Sequence, residues 1–382
     1  MMADTAERPE DAAWMRRALA LAEGVLYTTS PNPRVGCVIV RDGRVLGEGA
    51  TQPAGGPHAE VRALRDAQAR GLSVRGATVY VTLEPCSHHG RTPPCADALV
   101  AAAPARVVVA MGDPNPRVNG QGLARLRAAD IAVTAGVCLD EALALNVGFV
   151  ARMSRGTPWL WAKMAASLDG RSALPNGRSQ WITGEAARAD GHHWRARSCA
   201  VLTGIGTVLA DDPRLDVRHV PSPRPPRKIV LDSQLRMPAD ARLLDGTQTW
   251  IFTAREDAAR AAALAARNAR VVCLPGEDGR VDLAGVMRWL GEHDINEVHA
   301  EAGAVLTGAL LQAGCVDELL AYMAPVLLGE GAGMARLPPI EDLDRARRFE
   351  FVDAQCVGGD VRLRAQDAAR RAALRRAVAA RF

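Results

Sequence analysis

Pro57-His58-Ala59-Glu60 and, further along, Thr82-Leu83-Glu84-Pro85-Cys86-Ser87-His88-His89-Gly90-Arg91-Thr92-Pro93-Pro94-Cys95 are the stretches on which the reading of this chain turns. Together they hold one imidazole, two thiols and a nearby carboxylate. A hydrolytic zinc site needs that set: three protein ligands, an open position for water and a group that moves protons. His58 and Glu60 fall at the start of an expected helix, where the backbone is still turning and both side chains reach one centre. Inside a regular helix, positions two apart point away from each other. Cys95 follows Pro93-Pro94 at a second expected helix start, whose partial positive charge favours the thiolate that zinc binds. The expected metal ligands are therefore His58, Cys86 and Cys95, with Glu60 as the catalytic proton carrier.

The pattern H-x-E…P-C-x-x-C marks zinc nucleobase deaminases, in which the Glu is acid and base rather than ligand. His58, Glu60, Pro85 and Cys86 fit it, but eight residues separate Cys86 from Cys95 instead of two. A purely structural zinc is the bland alternative. It wants a fourth protein ligand, which His88 or His89 could supply, and it leaves Glu60 with nothing to do. A nucleic-acid base deaminase is the other rival, and it predicts a basic surface rich in aromatics.

Aromatic residues make up only 4% of the chain, which argues against a surface that stacks bases and against a nucleic-acid partner. At 382 residues the chain is long for one core, so two domains are expected. Hydrophobic content of 48% and charged content of 24% are those of an ordinary globular protein, and the net charge of +4 is mild. Lys163 and Lys228 are the only lysines, so each stands out wherever it falls. Two of the eight cysteines share the metal pattern, and the rest lie singly in apolar surroundings, which suggests a reducing compartment. The first residues carry Asp4, Glu7, Glu10 and Asp11 and lack the apolar stretch of a signal peptide. No apolar run approaches the roughly 18 residues of a membrane span. The expectation is a cytoplasmic protein with no membrane partner.

Strand and helix patterns alternate along the chain. In the first half, helix 14–24 is followed by a hairpin, 35–40 with 44–48, around Asp42-Gly43. Helix 58–70, strand 78–82, a helix from Cys95, strand 106–110, helix 122–129, strand 131–135 and helix 139–152 come next. Arg152 to Pro158 has linker chemistry. The second half runs strand 159–166, helix 184–197, strands 199–204, 228–231 and 249–252, helix 257–267, strand 270–273, helix 283–293, strand 297–300 and helix 303–314. Such alternation implies α/β domains with helices on a mostly parallel sheet. The expected domains are 1–152 and 158–365, with 366–382 as an Ala/Arg-rich tail, a solvated helix or frayed end. No G-x-G-x-x-G opens the second half, so a standard dinucleotide-binding fold lacks support there. The strand-to-helix turn at Gly303 could hold a phosphate on free backbone N–H groups or be an ordinary packed turn.

Ser30-Pro31-Asn32-Pro33-Arg34-Val35-Gly36-Cys37, Gly55-Gly56-Pro57-His58-Ala59-Glu60 and the Glu84–Cys95 run closely resemble the deaminase half of the bifunctional riboflavin-biosynthesis family RibD, in which the eight-residue gap is normal. Lys163–Arg171, Ser179–Thr183, Gly204–Pro213, Asp232-Ser233 and Glu301-Ala302-Gly303 resemble its reductase half. The likeness covers residues 12 to 363. Thr51 departs from it, standing where many members of the family carry histidine.

The resemblance implies a cytidine-deaminase-like three-layer α/β domain followed by a dihydrofolate-reductase-like α/β domain, with zinc in the first and NADPH in the second. It implies deamination of 2,5-diamino-6-ribosylamino-4(3H)-pyrimidinone 5′-phosphate, then reduction of the ribosyl group to a ribityl chain. On the family pattern Ala165, Trp181, Thr207, Asp211, Ser233 and the run Gly303, Ala304, Val305, Leu306, Thr307, Gly308 and Ala309 line the cofactor. Ser179, Arg195, Leu215, Arg218 and Glu301 hold the substrate. Apart from the family pattern, Lys163, one of only two lysines, is a candidate contact at the sugar, Arg91 between the cysteines a candidate for substrate phosphate in the deaminase pocket, and Asn32 a further substrate contact. Arginine suits the 5′-phosphate because its guanidinium fork matches phosphate oxygens. A homo-oligomer is also implied.

Overall fold

A computed structural model describes residues 6–88 and 93–380. The chain divides into two compact units, one reaching Gly156 and taking in Ala372 onward, the other spanning Thr157–Arg371.

The first unit is built from α1 (Asp11–Glu23), β1 (Gly36–Arg41), β2 (Arg44–Ala50), α2 (Ala59–Ala69), β3 (Thr78–Val81), α3 (Cys95–Ala102), β4 (Arg106–Val109), α4 (Gln121–Ala128), β5 (Ala132–Ala135) and α5 (Leu139–Arg155). Asp42 and Gly43 take φ of 53° and 71°, the left-handed pair a two-residue hairpin turn requires. The sheet order is β2-β1-β3-β4-β5, antiparallel as far as β3 and parallel from there. Two glycines let helices close onto its opposite faces. A Cβ at Gly36 would lie 1.8 Å from Ala18 O of α1, and one at Gly49 would lie 2.5 Å from the Arg62 side chain of α2. β1 is accordingly buried from Gly36 to Val40, and helix, sheet and helix form three layers.

A buried polar network ties α1 to this sheet. Arg106 of β4 makes two bonds to Asp11, of 2.8 and 2.7 Å, and reaches Thr134 of β5, while the Tyr80 hydroxyl donates to Asp11 at 3.0 Å. α5 continues to Arg155, so the expected linker shrinks to the few residues after it. Gly156, with φ of 75°, ends that helix where no side chain opposes the left-handed turn.

The second unit comprises β6 (Trp159–Ser167), β7 (Arg171–Ala173), α6 (Glu185–Arg197), β8 (Ala200–Gly204), α7 (Ile205–Asp211), β9 (Arg227–Leu231), β10 (Thr249–Thr253), α8 (Ala258–Ala265), β11 (Ala269–Cys273), α9 (Leu283–Glu292), β12 (Glu297–Glu301), α10 (Ala304–Gln312), β13 (Glu318–Ala324), β14 (Ala332–Gly333), β15 (Glu350–Val357) and β16 (Asp360–Gln366). Its main sheet runs β11-β10-β9-β8-β12-β6-β13-β16-β15, parallel as far as β13 and antiparallel in the last pairs. Leu160, Leu202, Ile229, Phe252 and Val298 face α9 and α10 on one side. Val201, Val230 and Ile251 pack with Ile205, Val208 and Leu264 on the other.

Of the two expected forms of the C-terminal tail, the helix is the one present. Residues to Gln366 belong to β16, and Ala368–Ala379 form α11, whose Leu374 and Val378 are buried and whose Arg375 bonds Asp140 at 2.9 Å. An apolar pair at i and i+4 supplies a buried stripe that composition alone hides.

Candidate active sites

In the first unit, His58 occupies the N-cap of α2 with extended backbone (φ −73°, ψ 166°), so its ring swings away from the helix axis while Glu60 sits in the first turn. Cys95 is the first residue of α3. His58 Nδ1 lies 3.6 Å from Cys86 Sγ and 3.3 Å from Cys95 Sγ. Ligand atoms of the three residues all fall within 4.8 Å of one another, as side chains around one tetrahedral ion must. Among the described residues no fourth side chain joins them: His88 lies outside the group, and His89 and Arg91 lie outside the described residues. A closed structural site therefore gains no support from His88.

The electrostatics suit a cation. The Cys86 thiol is pulled well below its ordinary range by a bond from the Cys95 thiol, against burial, with further help from His58 and the Cys95 N–H. Cys95 is held protonated in turn, because its proton serves Cys86 and because it is buried. A dication replaces that shared proton and lets both sulfurs ionise. Glu60 is buried, and burial pushes its carboxyl up to about 7, with the Cys86 thiolate adding to the rise.

The loop carrying Cys86 is clamped by a residue whose role sequence reading missed. The Glu84 carboxylate accepts four backbone bonds, from the N–H groups of Asp113, Gly120, Gly122 and Leu123 at 2.9–3.4 Å. Gly122 stands so close that a Cβ there would lie 2.0 Å from Pro85 O. The sequence marks Glu84 as part of the Glu-Pro-Cys run, but its partners lie 29 to 39 residues away. Asn32 sits ahead of β1 in a loop fixed by Arg34, which exchanges two 2.8 Å backbone bonds with the Asn146 side chain. Thr51 is buried, its N–H on Val35 O.

In the second unit a cleft of about 1180 Å³ opens at the carboxyl ends of parallel strands β8, β9 and β12, where α/β sheets hold ligands. Thr207, Asp211, Ser233, Gly303, Ala304, Val305, Leu306 and Ala309 line it, eight of the residues expected around the cofactor. Thr307 and Gly308 do not. Thr307 is buried with its hydroxyl on Ala302 O, and a Cβ at Gly308 would lie 1.9 Å from Arg336 O. They occupy the packed side of α10, a consequence of helical geometry. Ala165 on β6 and Trp181 also stand outside the cleft lining; the Trp181 indole is 70% exposed, with the Arg188 guanidinium 4.6 Å above it. Arg236, Arg280 and Arg336 line the cleft unforeseen, three arginines among many. Their charge, with the α10 N-terminus, fits the phosphates of a dinucleotide.

The expected substrate residues gather on the face of the sheet that α6 covers. Lys163 and Glu301 are register partners on β6 and β12. Arg195 of α6 grips Glu301 through both guanidinium arms, with Nη2 to Oε2 at 2.8 Å, and donates to Asp216 O at 2.8 Å. Burial opposes the Glu301 charge, but the Arg195 cation prevails and holds the carboxyl well below its ordinary range. Arg195 is thus committed to Glu301 rather than open to a phosphate. Burial lowers the Lys163 pKa, with Glu301 opposing. Leu215 is buried in the core, so it meets a ligand only through its backbone. Arg218 remains exposed, and Ser179 is half-buried.

Residues 8–111 match the cytidine and deoxycytidylate deaminase zinc-binding region, and residues 158–363 match the RibD C-terminal domain. With the geometry above, these matches define a zinc-site deaminase joined in one chain to a reductase. The riboflavin biosynthesis protein RibD of Escherichia coli is 49% identical, over 92% of this chain and 98% of its own length; that of Aquifex aeolicus is 40% identical, over 93% and 98%. Acinetobacter baumannii RibD (form 1) superposes with a TM-score of 0.85 at 43% identity, over 94% of this chain and 98% of that one. A Thermotoga maritima diaminohydroxyphosphoribosylaminopyrimidine deaminase/5-amino-6-(5-phosphoribosylamino)uracil reductase gives 0.84 at 31% identity, over 94% and 99%. The chain belongs to the RibD family.

Proposed function

We infer that this chain catalyses two consecutive steps of riboflavin biosynthesis: hydrolytic deamination of 2,5-diamino-6-ribosylamino-4(3H)-pyrimidinone 5′-phosphate, then NADPH-dependent reduction of the ribosyl group to ribityl. The observation that carries the first step is the convergence of His58 Nδ1, Cys86 Sγ and Cys95 Sγ beside the buried Glu60. Those three ligands would hold a zinc ion, whose Lewis acidity would make water nucleophilic near neutral pH. Glu60 takes the proton that water loses as the C–O bond forms at the amidine carbon. It passes that proton to the ring nitrogen of the amidine, then relays the remaining hydroxyl proton to the amino nitrogen as the C=O forms, the C–N bond breaks and ammonia leaves. Asn32 and Arg91 are proposed to hold the substrate there.

In the second unit a bound NADPH would supply the hydride for the carbonyl carbon of the ring-opened sugar, whose oxygen takes a proton from solvent as the C–H bond forms. The backbone around Gly303 and the arginines of the cleft hold the phosphates of the cofactor, and Ala165 and Trp181 are proposed at its reactive end. Lys163 and Glu301 are proposed to face the sugar, with Ser179, Arg195 and Leu215 shaping the pocket and Arg218 taking the 5′-phosphate. The domain division at 152–158, a homo-oligomer and a cytoplasmic setting belong to the same proposal. Exposed Phe351 on edge strand β15 supports the oligomer, and no helix among the described residues is long and apolar enough to cross a membrane.

Metal content, ammonia release and NADPH oxidation, followed in one sample with the phosphorylated diaminopyrimidinone, test this reading. About one zinc per chain, with ammonia appearing before NADPH is consumed, is the expected result. A zinc-loaded protein that releases no ammonia would sink the first assignment; ammonia without NADPH oxidation would sink the second.

A further inference from the structure

His192 and Arg195 lie one helical turn apart on α6, so both face the same neighbouring segment, residues 212–219. Each makes a backbone bond to it. Arg195 Nη1 donates to Asp216 O at 2.8 Å, and the Arg218 N–H donates to His192 Nδ1 at 2.9 Å. Leu215 anchors the segment in the core, with φ of 52°, and His219 also lies in the left-handed region at φ 68°. Side chains other than glycine hold such backbone only where surrounding contacts compel it. The guanidinium of Arg218 is left at the surface, Nη1 3.2 Å from Asp216 Oδ1.

We propose that His192 is a positioning residue of the reductase: its Nδ1 lone pair fixes the backbone of Arg218 so that this guanidinium meets the 5′-phosphate of the substrate. This rests on the reading of Arg218 as the phosphate ligand. The bond demands an unprotonated Nδ1, because a protonated ring has only donors. The surroundings enforce that state. Burial, then the cations of Arg195 and Arg218 and the neighbouring His219, push His192 down to about 4, with Glu301 pulling upward. The His219 ring stands edge-on, its centroid 5.0 Å away.

The test separates the two imidazole nitrogens. The Asn Oδ1 falls near the position of His Nδ1, whereas the Gln Oε1 falls nearer Nε2. Steady-state reduction is measured with 5-amino-6-(5-phosphoribosylamino)uracil and with its dephosphorylated counterpart, in His192→Leu, His192→Asn, His192→Gln and Arg218→Ala. Losing one buried acceptor corresponds to about a tenfold effect. His192→Leu is expected to raise KM for the phosphorylated substrate about tenfold, leaving kcat within about twofold and the KM of the dephosphorylated form unmoved. His192→Asn restores most of the affinity and His192→Gln does not. NADPH affinity and ammonia release report that each variant is folded. If Arg218→Ala leaves KM unchanged, the phosphate reading falls and this inference with it. If Arg218→Ala raises KM but His192→Leu does not, or if His192→Leu raises it equally for both substrates, the inference alone is overturned.

Discussion

Gly122→Ala probes how the protein holds its zinc ligands. The added Cβ would lie 2.0 Å from Pro85 O and 3.1 Å from Glu84 Oε1. Its nearest obstacle is backbone, so no side chain can rotate clear; either α4 or the Pro85-Cys86 segment must retreat by about 1 Å, an overpacking cost of about 1–3 kcal/mol. Both escapes disturb the same clamp, because the Gly122 N–H is one of the donors to Glu84 and Cys86 follows Pro85 directly. If the strain is expressed in the metal site, that energy equals about a 5- to 150-fold loss of zinc affinity. Expressed in folding, it lowers the melting temperature of a unit this size by about 2–4 °C per kcal/mol. Chelator competition measures the affinity, ammonia release its consequence, and calorimetry the stability. The reductase, in the separate second unit, should keep its NADPH affinity. Zinc affinity within about twofold of wild type and a melting temperature within about 1 °C would refute the reasoning, since the Glu84 clamp would then not govern Cys86.

Glu60→Gln should retain zinc, and NADPH oxidation when the deaminated substrate is supplied, while ammonia release falls by about 10²- to 10⁴-fold, the usual worth of a positioned acid-base; unchanged release would remove Glu60 from the mechanism. Gly308→Ala drives a Cβ to 1.9 Å from Arg336 O, beside the cofactor cleft. It should weaken NADPH binding, read by fluorescence titration, with ammonia release untouched. Asp11→Asn strips the buried Arg106 of its counter-charge and should cost the first unit about 3–5 kcal/mol in denaturant titrations. Burial works to raise the Asp11 carboxyl, but the bonds from Arg106, the Arg8 N–H and Tyr80 outweigh it and set the folded value below the ordinary 3.8. The stabilisation is thus complete above that pH and disappears as pH falls through the lowered value. Wild-type stability should drop along that acid limb, and the Asp11→Asn curve should be flatter there.

Much of this architecture is legible in residue patterns. Asp42-Gly43 foretells its hairpin because left-handed pairs are a local requirement, and the β-α alternation foretells the parallel sheets. Strands β13, β15 and β16 escape because pairing partners, not local pattern, make them strands; β13 joins β6 more than 150 residues upstream. Helix periodicity over Gly303–Ala309 says which residues share a surface but not which surface is free, so the packing of Thr307 on Ala302 and of Gly308 on Arg336 was not legible. His58, Cys86 and Cys95 were readable as one cluster because metal chemistry restricts residue type and spacing together. Arg195 was readable as important, but its partner was not, since only the meeting of α6 with β12 commits its fork to Glu301. Short-range constraints on backbone and ligand type thus write the two chemistries, and their order along the chain, into the residues themselves. Chain packing was needed to show that Glu84 clamps the metal loop, that Arg195 holds Glu301 and that His192 holds the backbone of Arg218. Such bonds join groups from 26 to 106 residues apart, and no local preference encodes them.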